Sequence, residues 1–300
     1  MLNFKSKRGS SIVVYCISLT VLLAISALVA DIGVMVVEKN KLVNAVDASV
    51  LAGAQELIYN PTLAEAKVRD YIAKNGVDPS AIQIDVNNSQ TGLRVTAEKE
   101  VKFFLAPLLG FHSANVSSTA SASVLPVSGV SGARPFGIED QELIFGETYV
   151  LKSGSGNSGN FGPIELGGSG AHVYYNNIVD GYSGRLFVGD IIQTEPGNMS
   201  GPTEQGVETI ILDCIHYPAC TPDDFEPDCA RVITVVIIDT LNVSGRADVT
   251  IVGFASFFVE GVAGSGNESF VTGKFIRSVT SGEISETQGD YGLYGVKLME

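Results

Sequence analysis

Three cysteines and one histidine lie close together in the C-terminal half of the chain. Cys214, His216, Cys220 and Cys229 follow the spacing C-x-H-x3-C-x8-C. Thiolate and imidazole groups are the ligands that structural zinc prefers, but neither arm has the C-x2-C spacing typical of such sites. Cysteines outside the cytoplasm usually form disulfides, and three of them leave one unpaired. The sequence therefore predicts one disulfide among Cys214, Cys220 and Cys229 and no metal site. The alternatives are a Cys3His zinc site and three unmodified thiols.

The same segment is rich in acidic residues. Its carboxylates belong to Asp223, Asp224, Glu226 and Asp228. Calcium binds carboxylate oxygens, but the segment lacks the spacing and the glycine of an EF-hand loop. We therefore expect a solvated acidic loop.

The sequence contains no motif that predicts catalysis. Its histidines are His112, His172 and His216, and it has no H-E-x-x-H or Walker motif and no G-x-S-x-G in a strand–turn–helix setting. Ser169 and His172 are too close along the chain to face one another productively. No catalytic residue and no cofactor are predicted. A membrane-tethered extracellular hydrolase stays open as an alternative.

The net charge excludes one class of partner. The chain carries a formal charge of −14, and residues 137–300 contain 23 acidic and 7 basic residues, a net of −16. Such a surface repels polyanions, so nucleic acid and anionic lipid surfaces are not expected as partners of this region.

The N-terminal residues predict a membrane anchor. The uncharged stretch from Ile12 to Ala30 would extend roughly 28 Å as a helix, close to the thickness of the hydrocarbon core of a bilayer. Three basic residues precede the stretch, and Asp31 and Glu38 follow it. The positive-inside rule then places residues 1–11 in the cytoplasm, residues 12–30 in the lipid bilayer of the cell membrane and the C-terminal domain on the extracytoplasmic side. A cleavable signal sequence is the alternative, because small residues between Ala24 and Ala30 resemble a cleavage site.

Past the bilayer the same helix is predicted to continue with a stripe of small and apolar side chains. The stripe consists of Val43, Val46, Val50, Gly53, Ala54 and Leu57. Small side chains allow another backbone to approach closely. The stripe therefore predicts a seam that packs against residues 80–125 of the same chain, receives a helix from another copy or a partner, or does both. Asp31, at the outer end of the apolar stretch, is expected to be solvated.

A small α+β, pilin-like module is predicted over residues 31–125. Asn60-Pro61 is a helix-start pattern and Asn75-Gly76 a helix-stop pattern. Two stretches of alternating apolar residues, Ile82–Val86 and Leu93–Phe103, predict a hairpin. Residues 126–135, rich in glycine and serine, are predicted to form a linker.

Residues 136–300 predict a separate all-β domain, either a sandwich or barrel-like, because short apolar runs alternate with turn-rich segments. The predicted strands are Leu143–Leu151, His172–Tyr175, Arg185–Val188, Glu208–Leu212, Arg231–Ile238, Val249–Val259, Phe270–Val279 and Gly292–Leu298. No helix of ten residues is expected there. The runs Ile233–Ile238 and Ile251–Val259 are almost continuously apolar and are expected to be central and buried.

The N-terminal pattern resembles that of TadG-like proteins, which are bitopic proteins associated with assembly of Flp/Tad pili. The resemblance rests on the basic residues before Gly9-Ser10, the apolar stretch, Asp31-Ile32-Gly33 and the run from Leu42 to Ala54. It is strong over residues 7–56 and looser to Val124. It implies a single-pass membrane protein of the cell envelope whose partners are pilus-assembly or pilin-like proteins.

The C-terminal domain is more weakly similar to a β-rich region found behind this N-terminus in other TadG-related proteins. The segments that carry this likeness are Gly159–Pro163, Thr194–Met199 and Gly253–Phe258. That region has no activity assigned to it, so the likeness implies no reaction and no ligand.

Two features of related proteins are absent from this chain. The longest TadG-like proteins carry a von Willebrand A domain with a metal-binding Asp-x-Ser-x-Ser, and Asp47–Leu51 lacks the last serine of that pattern. Pilins carry a glutamate five residues after the processing-site glycine, where this chain has Val14 after Gly9. The resemblance therefore implies a non-enzymatic pilus-assembly or surface-display protein without that metal site. A pilin-like filament subunit is the alternative.

Overall fold

The computed structural model describes residues 8–87, 89–152, 161–195, 199–243, 245–264 and 269–299. The chain forms two compact units, one built mainly from residues up to Ala122 and the other from Ser123–Lys297. Two of the N-terminal basic residues, Lys5 and Lys7, lie outside the described residues. So do parts of two segments that carry the resemblance of the second domain, residues 159–160 and 196–198.

The first helix, α1 (Arg8–Leu57), is 50 residues long and therefore extends about 75 Å. Its two halves differ in exposure: large apolar side chains from Ile12 to Val37 are exposed, whereas Leu42, Val46 and Val50 are buried. Among the described residues, one helix is long and apolar enough to cross a membrane by length and composition, and it is this one, with a mean hydropathy of 2.7 in its most apolar window. An apolar helical surface that the protein itself leaves uncovered fits single-pass anchoring in a bilayer.

The second half of α1 belongs to a small α+β unit. Helix α2 (Pro61–Lys74) begins after Asn60, whose side-chain oxygen accepts a hydrogen bond from the N–H of Thr62 at 2.8 Å. Strands β1 (Ile82–Val86) and β2 (Gly92–Lys102) pair antiparallel, and the first part of β3 (Ser113–Ser131) lies beside β2. Short 3-10 helices cover Pro79–Ala81 and Ala106–Leu109. The predicted helix start and the predicted hairpin are both confirmed.

The second unit contains eleven further strands and two helices among its described residues. In chain order they are β4 (Phe136–Glu139), β5 (Thr148–Lys152), β6 (Phe161–Glu165), α3 (Ala171–Val179), β7 (Arg185–Phe187), β8 (Ile191–Thr194), α4 (Ser200–Leu212), β9 (Val232–Ile238), β10 (Asp248–Ala263), β11 (Phe270–Ile276), β12 (Ser278–Val279), β13 (Glu283–Ile284) and β14 (Leu293–Met299).

Five of these strands close into a ring. β10 pairs with both β8 and β9, β8 pairs with β6, β6 with β4, and β4 runs parallel to β9. β11 pairs with β10 outside the ring, and β5 pairs with β11. β9 and β10 are bonded on both edges, and the two apolar runs within them, Ile233–Ile238 and Ile251–Val259, are almost entirely buried, as expected. The all-β class is confirmed, and the closed ring corresponds to its barrel-like form.

The predicted linker at residues 126–135 is largely a strand. β3 continues to Ser131, where it pairs antiparallel with β7 and β13. Val127 and Val130 are buried, and their side chains pack in a core cluster of the second unit. The linker prediction was based on the proline, glycine and serine content of the segment, which the burial of these valines outweighs.

Two predicted strands of the second unit are helices. His172–Tyr175 lies in α3, and Glu208–Leu212 lies in α4, which is 13 residues long. Both helices bury side chains at helical spacing, and Gly206 of α4 brings the two backbones together, since a Cβ there would lie 2.8 Å from Ile178 Cγ2. Apolar runs of four or five residues fit a strand or a buried helix equally well, so periodicity alone misassigned them. The predicted strands that correspond to β7, β9, β10, β11 and β14 are confirmed.

Candidate functional site

The three cysteines and the histidine singled out from the sequence converge in the second unit. They lie in segment 213–231, which connects the end of α4 to the start of β9. Cys220 and Cys229 are buried, and Cys214 and His216 are partly buried. The sulfurs pack on a small apolar cluster that includes Phe258 of β10 and Ile276 of β11. The core strands therefore provide a fixed floor, and the irregular segment folds the four side chains onto it.

The ligand atoms of Cys214, His216, Cys220 and Cys229 all lie within 4.8 Å of one another. The sulfurs of Cys214 and Cys229 are 3.4 Å apart, and Cys214 Sγ is 3.9 Å from His216 Nδ1. In a tetrahedral zinc site, bond lengths near 2.3 Å to sulfur and 2.0–2.1 Å to nitrogen place two sulfurs about 3.8 Å apart and a sulfur and a nitrogen about 3.6 Å apart. The separations of 3.4 and 3.9 Å lie on either side of these values, so these two pairs are spaced nearly as in a tetrahedral zinc site.

Groups around the four side chains fix their orientation. The other ring nitrogen of His216, Nε2, lies 3.1 Å from Oδ1 of Asp228. Backbone N–H groups of Cys220 and Arg231 donate hydrogen bonds to the sulfurs of Cys214 and Cys229, respectively. The Arg231 guanidinium donates to the carbonyl oxygens of Cys220 and Val259 and lies 4.5 Å from the Phe258 ring centroid. The sulfurs of Cys214 and Cys229 therefore each accept a backbone hydrogen bond, a contact that favours the thiolate form.

The two sulfurs closest to each other have different acidities. The hydrogen bond with His216 lowers the pKa of the Cys214 thiol to about 6, whereas burial raises the pKa of the Cys229 thiol to about 12. The pKa of His216 rises because of its contact with Cys214. The contact between His216 and Cys214 thus favours the thiolate form of Cys214 over that of Cys229.

The predicted disulfide is not formed in this structure. Cys16, Cys214, Cys220 and Cys229 are all free thiols, and a sulfur separation of 3.4 Å far exceeds the roughly 2.05 Å of a disulfide bond. Cys16 lies in the exposed apolar half of α1, remote in sequence from the cluster. Of the acidic residues in the segment, Asp223, Asp224, Glu226 and Asp228 are all exposed, and Asp228 contacts His216.

The predicted helix seam is covered by its own unit. Val46, Val50, Ala54 and Leu57 are buried, and Val43 is partly buried. A Cβ at Gly53 would lie 2.4 Å from Val68 Cγ2 of α2 and 2.9 Å from Leu93 Cδ2 of β2. The sequence left open whether the seam packs within its own chain or against a helix of another copy or a partner. The structure shows the first of these two kinds of packing.

A second group of interacting residues lies at the end of the exposed apolar half of α1. The Asp31 side chain is buried and accepts hydrogen bonds from the backbone N–H groups of Phe104, Leu105 and Ala106. The expectation that Asp31 is solvated was therefore wrong. The segment 104–111 that it binds exposes Phe104, Leu108 and Phe111 by 85%, 86% and 64%. No local pattern around Asp31 marks this partner, which is more than 70 residues away in the sequence.

About two turns further along the helix, Glu38 forms two ion pairs. Its carboxylate oxygens lie 2.7 Å from Lys41 Nζ and 2.6 Å from Lys99 Nζ. These hydrogen bonds lower the pKa of Glu38 to about 2. Lys39 Nζ donates to the carbonyl oxygen of Ser117 on β3. α1 is thus joined to β2 and β3 by charged groups just beyond its apolar half.

Comparison with known proteins agrees with the N-terminal observations. Residues 9–56 match the model of the Tad family, Flp pilus-assembly TadE/G-like, which supports the resemblance noted from the sequence. The matched region lies within the long helix α1. Neither the curated proteins nor the solved structures include a match to the chain.

Proposed function

We propose that this chain is a non-enzymatic single-pass membrane protein of Flp/Tad pilus assembly or of surface display, and that its acidic β-rich unit binds a partner outside the membrane. The observation that carries the proposal is the coincidence of the Tad match with a helix whose apolar half is exposed. An exposed apolar surface of that length is stable in a bilayer and unstable in water.

The orientation follows from charge. Basic residues precede the apolar stretch, and Asp31 and Glu38 follow it. The positive-inside rule then leaves the N-terminus in the cytoplasm and both folded units on the other side. The exposed Phe104, Leu108 and Phe111 support this arrangement, because Asp31 anchors their segment beside the outer end of the apolar half, where aromatic and aliphatic side chains contact the membrane interface.

The charge of the second unit indicates the chemistry of its partner. Residues 137–300 carry a net charge of −16, so a basic protein surface would be attracted and a nucleic acid repelled. A partner among the pilus-assembly or pilin-like proteins fits the family of the anchor region.

The competing function is that of a filament subunit. Such a subunit would polymerise through the seam on α1, but the seam side chains are already buried by α2 and β2. Position 14 is valine, where pilin processing expects glutamate. Both observations favour an assembly or display protein over a structural subunit.

The test is to locate the chain and measure its mass. Surface filaments are sheared from cells and compared with washed membranes by immunoblot, and the species found is analysed by intact mass spectrometry. Full-length chain confined to the membranes is the expected result. A species that begins at Ser10 in the sheared filaments would instead make the protein a processed structural subunit. Release of a shorter soluble species by cleavage between Ala24 and Ala30 would overturn the membrane anchor.

A further inference from the structure

We propose that Cys214, His216, Cys220 and Cys229 form a structural zinc site in the second unit. The convergence of all four ligand atoms within 4.8 Å carries this proposal. A disulfide would account for two of these side chains and would leave a third cysteine and a histidine at the same point without a reason. Three sulfurs and one imidazole nitrogen are a complete ligand set for tetrahedral zinc, which leaves no open position for a substrate.

The contacts of His216 support metal binding. Its Nδ1 is the ring nitrogen nearest Cys214, and its Nε2 lies 3.1 Å from the Asp228 carboxylate. Histidines that bind a metal through one nitrogen usually donate the other N–H to a carboxylate, which fixes the tautomer and the ring orientation. Asp228 would thus act as a positioning residue rather than as a ligand.

The position of the site in the fold explains what the metal would do. Segment 213–231 contains no helix or strand of the sheets, and structureless loops longer than about 12–15 residues are uncommon in compact domains unless something fixes them. Its contribution to the core is a small cluster around Phe258 and Ile276. A zinc ion would join the end of α4 to the start of β9 and fix the segment between them.

Fixing the segment also fixes the surface that it presents. Ile215 and Tyr217 alternate with Cys214 and His216, and the side chains of Ile215 and Tyr217 are 88% and 101% exposed. Cys214 and His216 point inward to the cluster while these apolar side chains point outward. Loss of the metal would therefore free the ligand side chains and, with them, the exposed apolar side chains of the same segment.

The first measurement is the metal content of the full-length chain, purified in detergent without a histidine tag or chelator. Mass spectrometry of zinc, iron and copper should find one zinc per chain in the wild type. Cys220→Ser and His216→Ala should each lower zinc to the background level. Cys16→Ser is the matched control, because this thiol lies on α1, and it should keep the full zinc content.

A second measurement uses the wild-type chain and so does not depend on whether a variant folds. After replacement of zinc by cobalt, the absorption spectrum should show thiolate-to-cobalt charge transfer and the intense visible bands of tetrahedral cobalt. A cobalt spectrum typical of six oxygen ligands would contradict the ligand set. Iron or copper in place of zinc would contradict the choice of metal.

The positioning role of Asp228 has its own control in the same loop. Asp228→Asn should weaken zinc affinity about 10–100-fold in competition with a chromogenic chelator. Asp223→Asn, an exposed carboxylate that is not a neighbour of His216, should leave the affinity unchanged. Equal affinity for both variants would remove Asp228 from the site.

Two further outcomes would overturn the zinc site itself. One is a metal-free chain whose peptide map contains a Cys214–Cys229 crosslink and whose intact mass is lower by two hydrogens. The other is a metal-free chain in which Cys214, Cys220 and Cys229 all react with an alkylating reagent in the native state.

Discussion

The carboxylate of Asp31 accepts a hydrogen bond of 2.9 Å from the backbone N–H of Leu105, 74 residues further along the chain. The N–H groups of Phe104 and Ala106 donate to the same carboxylate. One carboxylate thereby provides the acceptor for three successive backbone N–H groups. The bond ties segment 104–111 to the point where α1 leaves its apolar half.

Substitution of Asp31 should release that segment. We expect Asp31→Ala to raise the amide hydrogen-exchange rates of residues 104–106 roughly tenfold, because their N–H groups lose their acceptor. Asp31→Asn, which retains one carbonyl oxygen, should have a smaller effect. The measurement is hydrogen exchange with mass spectrometry on the full-length chain in nanodiscs.

Asp47→Ala is the control for this prediction. Asp47 lies on the same helix beyond the apolar half and is not among the groups bonded to residues 104–106. It should leave the exchange rates of those residues unchanged. Unchanged rates in Asp31→Ala as well would show that the carboxylate does not restrain the segment.

The seam on α1 makes a different prediction about stability. A Cβ at Gly53 would lie 2.4 Å from Val68 Cγ2 and 3.0 Å from the Ala64 carbonyl oxygen. Overpacking of a tight core costs about 1–3 kcal/mol and occasionally more. Gly53→Leu should therefore destabilise the first unit by roughly 3 kcal/mol, measured as a lower midpoint of unfolding in detergent.

Gly33→Leu provides the matched comparison on the same helix. A Cβ at Gly33 has no atom within 4 Å, so the larger side chain should be tolerated. If Gly53→Leu left the unit as stable as Gly33→Leu does, the packing of α2 against the seam would be looser than its contacts indicate. Loss of assembly without loss of stability would assign the seam to a partner.

The sequence predicted those features that depend on local chemistry. The Asn60 cap, the β1–β2 hairpin and the apolar runs of β9 and β10 each depend on neighbouring residues, and the structure has all of them. The strand assignments of His172–Tyr175 and Glu208–Leu212 failed because tertiary packing decided between helix and strand. That packing involves Gly206 against Ile178, a contact between two helices that no single window of sequence contains.

The residues of the candidate metal site could be identified in the sequence, but the distances between their side chains could not. The spacing of Cys214, His216, Cys220 and Cys229 is compatible with a disulfide or with a Cys3His metal site, and the sequence alone does not decide between them. The floor formed by Phe258 and Ile276 comes from strands far along the chain. The prediction that Asp31 is solvated failed for the same reason, because the residues that bond to its carboxylate are brought there by the fold and are not its neighbours in the sequence.

Glu38 should contribute to the acid sensitivity of the first unit. Hydrogen bonds from Lys41 and Lys99 lower its pKa from 4.5 to about 2. A carboxyl group whose pKa is lower in the folded than in the unfolded state stabilises the fold above the unfolded pKa and loses that contribution as the pH falls toward the folded pKa. The relevant window is therefore between pH 4.5 and about pH 2.

Glu38→Gln should make stability less dependent on pH within that window, as measured by thermal unfolding at a series of pH values. Glu65→Gln on α2, at an exposed position, serves as the control and should leave the pH profile as it is in the wild type. An identical profile for Glu38→Gln would mean that the two lysines do not favour the ionised carboxylate in the folded unit.

The exposed side chains of segment 104–111 should contact the membrane. The chain contains no tryptophan, so one introduced residue reports on one position. We expect tryptophan fluorescence in Phe104→Trp and Phe111→Trp to be quenched by brominated lipids in vesicles, because Asp31 places these side chains beside the outer end of the apolar half of α1.

Leu63→Trp, at an exposed position of α2 beyond the end of α1, is the control and should not be quenched. More than 30 residues of chain separate it from Asp31, and the intervening helix rises about 1.5 Å per residue. Equal quenching at all three positions would mean that the first unit lies flat on the bilayer. No quenching at positions 104 and 111 would place segment 104–111 in water and leave its apolar surface for a protein partner.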